Sequence, residues 1–507
     1  MDLQTFRLML NQIDDRMAEL FVQRMNIVNE IALWKQQQGV PVLDRSREES
    51  VMNRLTEAHP EHSESIRQLY EGIFQTSRDA QTQILRSSFG LLGHPLGHSL
   101  SPAIHAKLGT YPYRLFDISP DRLPGFLQEG LFAGINVTIP YKQEILSYCQ
   151  TISPLAKRIG AVNTIVRQPD GSLHGDNTDF HGMKVALQHA NMSLKGRNVL
   201  ILGGGATSRT AQAVAEEGGA REIIKVTRQG PVNYKNVNLY RMFEVILQTT
   251  PVGMYPNNGE QLIDLQMFPH CVAVFDVVYH PLKTALLLQA EELGIPYENG
   301  LTMLVAQAVK ASEQFTRRNL ANTSLYEITA SLKSEMQNVV LIGMPGCGKT
   351  TLGRILAERL GRPFFDSDEI LMEELGKTPA EVITQLGEEA FRKAESEVLS
   401  RLGKGKGSVI ATGGGSLLRK SNQKALRQNG FLVWIQRELP LLSREGRPLS
   451  GDLLQLQKLY EKREPLYRGC AEAVVENNSS LELAVERIRE VYHEVSQIGR
   501  ASCRERV

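Results

Sequence analysis

The chain has 507 residues, 42% of them hydrophobic and 22% charged, and this ordinary composition excludes a long disordered or collagen-like protein. At ~150 residues per domain, the length predicts about three domains. The formal net charge is +1, so no global charge favours nucleic acid or a membrane surface as partner. The five cysteines form no CxxC pair, and no apolar run reaches the ~18 residues of a spanning helix. We therefore expect a reduced, cytoplasmic protein without a zinc site or a disulfide framework.

The pattern of apolar residues and glycines changes twice along the sequence. This predicts a multidomain protein with one all-α domain followed by two α/β domains. Residues 1–86 show long helical periodicity and few glycines. Residues 87–334 and 336–495 each alternate short apolar runs, Gly-rich turns and helical stretches, as open α/β domains do. The stretch Thr316–Ser334 is polar and compatible with a helix, so it is a last helix of the middle domain, a linker, or both. Residues 496–507 lack periodicity and are predicted to be a non-native tail.

The first segment opens with a predicted helix over about residues 2–38, a rod of roughly 55 Å. Its apolar stripe also contains Arg24 and Lys35, and the apolar face of a later helix contains Ser77 and Gln81. A lone basic side chain on such a stripe usually extends its charge to the surface. Four polar residues on two apolar stripes instead favour a buried, anion-binding cavity between helices. The apolar stripe consists of Ile13, Met17, Leu20, Ile27, Val28 and Ile31.

These polar residues, together with the segment PVLDRSREE, resemble the active site of the all-helical chorismate mutases. A Claisen rearrangement needs no cofactor, only a folded substrate and stabilised charge on the ether oxygen. The resemblance implies that Arg24, Arg47 and a second chain's Arg7 hold the two carboxylates of chorismate. It also implies that Lys35 and Gln81 face the ether oxygen. The set is completed by Asp44 and Ser77 as substrate contacts and by Glu48 on the ring hydroxyl.

Arg7 lies ~120° off the apolar stripe at 100° per residue, which fits its pointing into the other subunit of an intertwined homodimer. An alternative makes residues 1–86 a non-catalytic module that dimerises the chain or senses chorismate or prephenate. The complete polar set favours catalysis, because a pure dimer contact would be better served by apolar residues.

The run VLILGGG, at Val199–Gly205, predicts a buried strand that enters a Gly-rich turn and then a helix. The pattern Gly203-x-Gly205-x-x-Ser208 suits a pyrophosphate, although a plain strand–turn–helix unit has the same shape. At the end of the next strand stand Thr227 and Arg228, where an NAD site usually has an acidic residue, and this favours NADP. The predicted cofactor residues are Gly203, Gly204, Gly205, Ala206, Thr207, Ser208, Thr227 and Arg228.

The ordered motifs GHPLGHSLSPAIH, INVTIPYK, GAVNT, GDNTD, DVVYHPLKT and GLTMLVAQA resemble shikimate dehydrogenase. The resemblance implies that Lys142 and Asp179 form the catalytic pair, since reduction of a ketone needs a proton as the hydride arrives. Quinate stays open as an alternative substrate. The implied substrate contacts are Ser99, Ser101, Thr138, Asn163, Tyr279 and Gln307. The implied parts are a mainly substrate-binding domain at 87–190, a Rossmann NADP domain at 191–300 and returning helices at 301–334.

In the last segment, the run from Gly343 to Thr350 fits the P-loop pattern G-x4-G-K-[ST] between a strand and a helix. The glycine amides would cradle phosphates, Lys349 would reach the β and γ oxygens, and the Thr350 hydroxyl would bind Mg²⁺. We interpret Cys347 as a small neutral filler of the loop. The predicted nucleotide-binding residues are Gly343, Gly346, Cys347, Gly348, Lys349, Thr350 and Thr351.

The motifs FFDSDE, GEEAFRKAE, ATGGGS, EGRPL and KREPLY resemble shikimate kinase. The resemblance implies that Asp366 supports the Mg²⁺ shell and that Asp368 orients the attacking hydroxyl. It places Arg447 on a lid that closes over ATP. The implied shikimate contacts are Arg392, Gly414, Gly415 and Arg463.

Together the motifs predict a trifunctional enzyme of aromatic amino-acid biosynthesis: chorismate mutase (1–86), shikimate dehydrogenase (87–334) and shikimate kinase (336–495). Its substrates would be chorismate, 3-dehydroshikimate and shikimate, and its cofactors NADP(H), ATP and Mg²⁺. Neither nucleic acid nor a membrane is expected as a partner. The alternative is a bifunctional dehydrogenase and kinase with a non-catalytic first domain.

Overall fold

A computed structural model gives the fold, which divides into two compact units. One unit comprises Met1–Asn177 with Gln314–Arg317, and the other comprises Thr178–Glu313 with Arg318–Val507. Among the described residues, no helix combines the length and the apolar character needed to cross a bilayer. The structure describes residues 2–38, 40–97, 99–109, 111–320, 322–442 and 453–504.

The chain begins with three helices, as the periodicity predicts. The first, α1, is unbroken over 36 residues, and the side chain of Asp44 caps α2 by accepting the Arg47 amide hydrogen at 3.0 Å. Much of the α1 stripe stays uncovered in the single chain: Leu20 is 56% exposed and Ile27 is 62% exposed. The helices are α1 (Leu3–Gln38), α2 (Arg45–Ala58) and α3 (Ser63–Arg86).

A six-stranded mixed sheet with the order β2-β1-β3-β5-β6-β4 completes the first unit. β1 is parallel to β2 and β3, whereas β5 runs antiparallel to both β3 and β6. The fully buried Phe132, Ile135 and Ile165 form part of its core. The elements are β1 (Phe89–Gly93), α4 (Ser101–Leu108), β2 (Tyr113–Asp117), α5 (Leu123–Glu129), β3 (Gly134–Val137), β4 (Thr151–Ile152), α6 (Pro154–Ile159), β5 (Thr164–Arg167) and β6 (Leu173–Asp176).

The second unit begins with an all-parallel sheet of the order β11-β10-β9-β7-β8. Its central strands are apolar and buried apart from one polar residue at an end of each, because helices cover both faces of such a sheet. The elements are α7 (Thr178–His189), β7 (Asn198–Leu202), α8 (Ala206–Glu217), β8 (Glu222–Val226), β9 (Val245–Gln248), β10 (Ala273–Asp276), α9 (Ala285–Glu292), β11 (Tyr297–Glu298) and α10 (Gly300–Thr316).

A third sheet, also parallel, has the order β13-β14-β12-β15-β16 and a core around the buried Trp434. The elements before and in its first half are α11 (Asn322–Met336), β12 (Asn338–Ile342), α12 (Lys349–Leu360), β13 (Phe364–Asp366), α13 (Ser367–Leu375) and α14 (Pro379–Leu386). Those of the second half are α15 (Glu388–Lys404), β14 (Val409–Ala411), α16 (Lys420–Arg427), β15 (Gly430–Gln436), α17 (Leu453–Cys470), β16 (Ala473–Glu476) and α18 (Leu481–Arg504).

These elements confirm the predicted fold class, one all-α domain followed by α/β domains. Most of the stretch Thr316–Ser334 belongs to α11, which packs against α18: the Tyr492 hydroxyl donates to the Ser334 carbonyl oxygen at 2.9 Å. The last helix runs to Arg504, so the described residues of the predicted tail continue α18. No proline interrupts the tail, and a helix already formed extends at little cost. The domain boundaries stay predictions.

His105 is a fully buried titratable group in the first unit. Its ring stacks on Tyr113 with centroids 3.7 Å apart, and Nδ1 lies 2.7 Å from the Tyr111 hydroxyl. Burial lowers the pKa of His105 from 6.5 to about 3. The folded state therefore holds a neutral imidazole.

Because the folded pKa is the lower one, the stability that His105 contributes is complete above pH 6.5 and is lost as the pH falls toward 3. We expect the difference in unfolding free energy between the unmodified chain and His105→Gln to shrink between pH 7 and pH 4.5. Urea denaturation at several pH values, monitored through hydrogen exchange of the β2 amides, measures this difference. A difference that does not change with pH would contradict the prediction.

Candidate active sites

The three helices of the first segment enclose a cavity of about 470 Å³. It gathers seven of the eight residues predicted for the mutase-like site. The eighth, Arg7, is exposed on α1 and does not line this cavity. The seven lining residues are Arg24, Lys35, Asp44, Arg47, Glu48, Ser77 and Gln81.

Hydrogen bonds hold the basic side chains of this cavity in place. Arg24 donates to the Ser77 hydroxyl at 2.5 Å, and Lys35 Nζ donates to the Val42 carbonyl oxygen at 2.7 Å. Gln81 is 6% exposed, and its Oε1 has no hydrogen-bond partner among the described residues. A buried amide oxygen at a cavity wall is a group whose hydrogen bonding a ligand would complete.

One cavity residue escaped the sequence analysis. Arg78 reaches both carboxylate oxygens of Glu48 at 2.6 Å, and each of the two side chains is 26% exposed. At the start of α2, the amide of Arg47 lowers the pKa of Asp44 by donating to its carboxylate. The pairing of Arg78 with Glu48 joins α3 to α2, and no local sequence pattern points to such a contact.

In the first unit, predicted substrate residues collect where three strand ends meet. β1 and β3 end at one edge of the sheet, and the antiparallel β5 begins there. The Thr138 amide donates to Leu92 at 2.9 Å, and the Val137 amide donates to the carbonyl oxygen of Asn163 at 2.7 Å. A side chain at Gly93 would come within 2.6 Å of Thr138. The end of β1 therefore lies directly against Thr138, the residue that follows β3.

The remaining residues of this group belong to the connections at the same edge. The Val162 amide donates to the Lys142 carbonyl oxygen at 2.7 Å, which ties the Lys142 turn to the start of β5. Ser101 is buried in the first turn of α4, and its amide donates to the Ser99 hydroxyl oxygen at 3.2 Å. The structure thus brings Thr138, Lys142 and Asn163 together, and it places the two serines after β1.

The other predicted dehydrogenase residues lie in the second unit. Asp179 is buried in the first turn of α7. The neighbouring Thr178 hydroxyl donates to Gln307 Oε1 on α10 at 3.4 Å. A Cβ at Gly182 would meet the Met303 carbonyl oxygen at 2.5 Å, so glycine allows the two helices to approach this closely. Tyr279 follows β10, and burial raises its pKa.

The predicted dinucleotide loop lies between β7 and α8. Gly203 has φ +128°, and a side chain there would come within 2.6 Å of the Thr249 hydroxyl. No side chain caps α8, so its first amides are directed toward any ligand at this turn. Thr227 packs beside Gly204, and Arg228 is exposed immediately after it. This arrangement fits a pyrophosphate at the helix end and a 2′-phosphate beside the basic side chain.

The predicted P-loop joins β12 to α12. Lys349 is 8% exposed, and its Nζ donates to the carbonyl oxygens of Gly343 and Met344 at 3.0 and 2.9 Å. The Thr350 hydroxyl donates to Asp366 Oδ2 at 2.6 Å. A hydroxyl and one carboxylate fit Mg²⁺, which usually takes few protein ligands and completes its shell with water and phosphate.

Beside the P-loop, a second polar group surrounds the glycines after β14. Arg463 is 6% exposed and donates to the Gly414 carbonyl oxygen at 2.9 Å. Arg392 pairs with the buried Glu395 at 2.9 Å, and a side chain at Gly415 would come within 2.7 Å of Arg392. Tyr467, the last residue of the KREPLY motif and one to which no role was assigned, donates to the same Gly414 oxygen at 2.6 Å.

The carboxylate of Asp368 also faces the turn after β14. A side chain at Gly413 would come within 2.5 Å of it, so the predicted group that orients the hydroxyl lies beside the predicted shikimate contacts. Arg447 lies outside the described residues.

Comparisons with known proteins match all three segments. Residues 6–82 match the family described as chorismate mutase type II, residues 91–165 the shikimate dehydrogenase substrate binding domain, and residues 345–494 shikimate kinase. A shikimate dehydrogenase (NADP(+)) of Clostridium perfringens is 34% identical over 266 residues, which are 48% of this chain and 98% of that protein.

The chain belongs to the shikimate dehydrogenase family. A second relative, the shikimate dehydrogenase (NADP(+)) of Halothermothrix orenii, is 36% identical over 47% of this chain and 92% of that protein. A crystal structure of a chorismate mutase/shikimate 5-dehydrogenase fusion protein from Clostridium acetobutylicum is 32% identical, with a TM-score of 0.47. It covers 49% of this chain and 97% of that one. Chorismate mutase and shikimate kinase domains are also present in the chain, which confirms the predicted three-part chain.

Asn477, directly after β16, supports the P-loop of the kinase domain. It is 2% exposed, and its Nδ2 donates to the Cys347 carbonyl oxygen at 2.8 Å. A side chain at Gly348 would come within 2.7 Å of the same nitrogen, so the amide packs directly on the loop. Local motifs missed Asn477 because it is 130 residues away in sequence.

We expect Asn477→Ala to raise the KM for ATP by about fivefold, because the loop loses one buried hydrogen bond worth ~1 kcal/mol. Kinase assays at saturating shikimate measure this. Asn478→Ala is the matched control, since the neighbouring Asn478 accepts a hydrogen bond from the Glu438 amide instead. Equal KM values in the two variants would contradict the role of Asn477.

Proposed function

We propose that the chain is a trifunctional shikimate-pathway enzyme. It reduces 3-dehydroshikimate to shikimate with NADPH, phosphorylates shikimate to shikimate 3-phosphate with ATP and Mg²⁺, and rearranges chorismate to prephenate. The observation that carries the proposal is that the three motif sets lie in separate parts of the fold. The first lines a cavity between helices, the second lies mainly at strand ends of two sheets, and the third surrounds a P-loop. We also propose that the enzyme works in the cytoplasm, where NADPH and ATP are supplied.

For the dehydrogenase we propose Lys142 and Asp179 as the catalytic pair. NADPH supplies the hydride when bound. The Lys142 ammonium would donate a proton to the oxygen that becomes the new hydroxyl, and the Asp179 carboxylate would keep that ammonium charged. Asn163 and Thr138 would orient the ring, since they share a sheet edge with the Lys142 turn. The hydroxyls of Ser99 and Ser101 would bind the carboxylate of the substrate.

For the kinase we propose that the side chains position ATP, Mg²⁺ and shikimate and form no covalent bond with them. Lys349 would balance charge on the transferred phosphoryl group, and Thr350 and Asp366 would hold Mg²⁺. Asp368 would accept the proton of the attacking shikimate hydroxyl. Arg392 and Arg463 would bind the shikimate carboxylate and ring.

Their burial supports this proposal. The Arg392 and Arg463 side chains are 13% and 6% exposed, so their charges are little screened by water.

For the mutase we propose catalysis by a homodimer. A second copy of the chain would cover the exposed stripe of α1, which a single chain leaves open to solvent. That copy would also bring its own Arg7 to the cavity. Arg24 and Arg47 would hold the carboxylates, and Lys35 and Gln81 would stabilise the charge that develops on the ether oxygen.

The reactions should be separable by single substitutions. We expect Lys142→Ala to abolish shikimate oxidation and Lys349→Ala to abolish phosphorylation, with the other two activities at the unmodified level. The reason is that no residue is shared between the proposed sites. Three separate assays on each purified variant measure this. Loss of all three activities in a folded variant would refute independent sites.

Complementation distinguishes a catalytic first domain from a regulatory one. We expect Arg7→Ala and Arg24→Ala to be inactive as mutases, and a mixture of the two chains to regain activity. Each mixed dimer would contain one site without a substitution, and ~25% of the unmodified rate is the statistical limit for random exchange. Mixing two preparations of Arg24→Ala is the control. A mixture that dimerises and binds prephenate without turnover would favour the sensing module.

A further inference from the structure

The loop 277–284 carries Tyr279, the proposed substrate contact, and is clamped at both ends. The buried carboxylate of Asp276 accepts the Val278 amide at 3.0 Å and the Thr284 hydroxyl at 2.7 Å. Burial raises the pKa of Asp276 to about 7. We call residues 277–284 the Tyr279 loop. Asp276 fixes both ends of the Tyr279 loop. The position of the residues between these ends therefore depends on the elements that pack against the loop.

One side of the Tyr279 loop rests on the dehydrogenase itself. The Gly300 amide donates to the Val278 carbonyl oxygen at 3.1 Å, and Asn299 donates to the Leu282 carbonyl oxygen at 2.9 Å. A Cβ at Gly300 would come within 1.9 Å of the Val277 oxygen, so only glycine fits there. The start of α10 therefore forms a close-fitting floor for the loop.

The other side of the Tyr279 loop rests on the kinase domain. The Lys283 amide donates to the Gln428 carbonyl oxygen at 2.8 Å. The Lys283 side chain is only 16% exposed and lies 2.8 Å from Glu291 on α9 and 3.5 Å from Glu472 of the kinase. Breaking a buried ion pair is costly, because the remaining charge stays desolvated. Lys283 is therefore a fixed link between the loop and the kinase surface.

A second link reaches the loop through Tyr255. The Tyr255 ring packs edge-on against His280 with centroids 4.7 Å apart, and its amide donates to the His280 carbonyl oxygen at 3.3 Å. The Tyr255 hydroxyl donates to the Gly403 carbonyl oxygen of the kinase at 3.1 Å. His280 directly follows Tyr279, so this contact bears on the residue next to the proposed substrate contact.

The kinase side of these links is rigid. Gly403 lies in the last turn of α15, the helix that carries Arg392 in its first turns. A side chain at Gly403 would meet the Ala425 carbonyl oxygen at 2.5 Å, so α15 and α16 lie in close contact. Arg427, at the end of α16, pairs with Glu291 at 2.7 Å and is 15% exposed. The surface against the loop is thus built from two interlocked helices.

We propose that the kinase domain is a positioning part of the dehydrogenase site: its Gly403, Gln428 and Glu472 hold the Tyr279 loop in the conformation that binds the substrate. The proposal rests on the proposed function of Tyr279. It assigns Tyr255 and Lys283 as positioning residues that act through the loop. A substitution confined to the kinase surface then alters substrate binding by the dehydrogenase.

The test uses the full chain with the kinase-side double variant Glu472→Gln/Arg427→Gln. We expect the dehydrogenase KM for shikimate to rise about three- to tenfold, as for a binding group displaced by a fraction of an ångström. The KM for NADP and the kinase kcat should keep their unmodified values. Tyr255→Phe, which removes only the hydroxyl, should shift the KM for shikimate in the same direction and guards against a double variant that fails to fold.

The matched control is Arg401→Gln. Arg401 lies on α15 near Gly403, but its ion pair with Glu374 is internal to the kinase domain. The control should leave the dehydrogenase KM unchanged. An unchanged KM for shikimate in both the double variant and Tyr255→Phe, or an equal rise in the control, overturns the proposal. An unmodified chain that does not oxidise shikimate refutes the proposed function itself.

Discussion

Burial of the parallel strands on both faces is the constraint on which the α/β sites depend. β7, β9, β12 and β15 present apolar side chains to helices on either side, so polar groups reach solvent only where strands end. The dinucleotide loop follows β7, the P-loop follows β12, and the Tyr279 loop follows β10. Fold and chemistry are therefore coupled: the packing that stabilises each sheet also collects the binding groups at one edge.

The helical domain also collects polar groups in one place, but it does so without a sheet. Its cavity is walled by three helices, and basic side chains occupy positions that an ordinary amphipathic helix would give to leucine. Arg24 and Lys35 are kept partly buried by hydrogen bonds to Ser77 and to the Val42 carbonyl. The domain thus has preorganised charge where apolar packing would be usual, and much of the apolar stripe of α1 stays exposed in the single chain.

Much of the fold and of the candidate sites could be predicted from sequence, because many of the residues concerned lie in short motifs. The P-loop, the Gly-rich turn after β7 and the capping residue Asp44 each depend on neighbours within about four residues. Arg78 on Glu48, Asn477 on the P-loop and Lys283 on Glu472 span 30, 130 and 189 residues. Such contacts depend on how elements pack, and no periodicity records them. The sequence analysis also did not predict that residues 496–504 continue α18, since the sequence there lacks helical periodicity.

The hydrogen bond between Tyr492 and Ser334 brings the beginning and the end of the kinase segment side by side. A domain whose entry and exit are neighbours behaves as a cassette: it can be added to a host protein without separating any strand or helix of that host. In this chain the kinase domain contacts the dehydrogenase domain through a group of charged, partly buried side chains. These residues are Lys283, Glu291, Arg427 and Glu472, so a domain that is separable by its topology is nevertheless joined to the dehydrogenase by ion pairs.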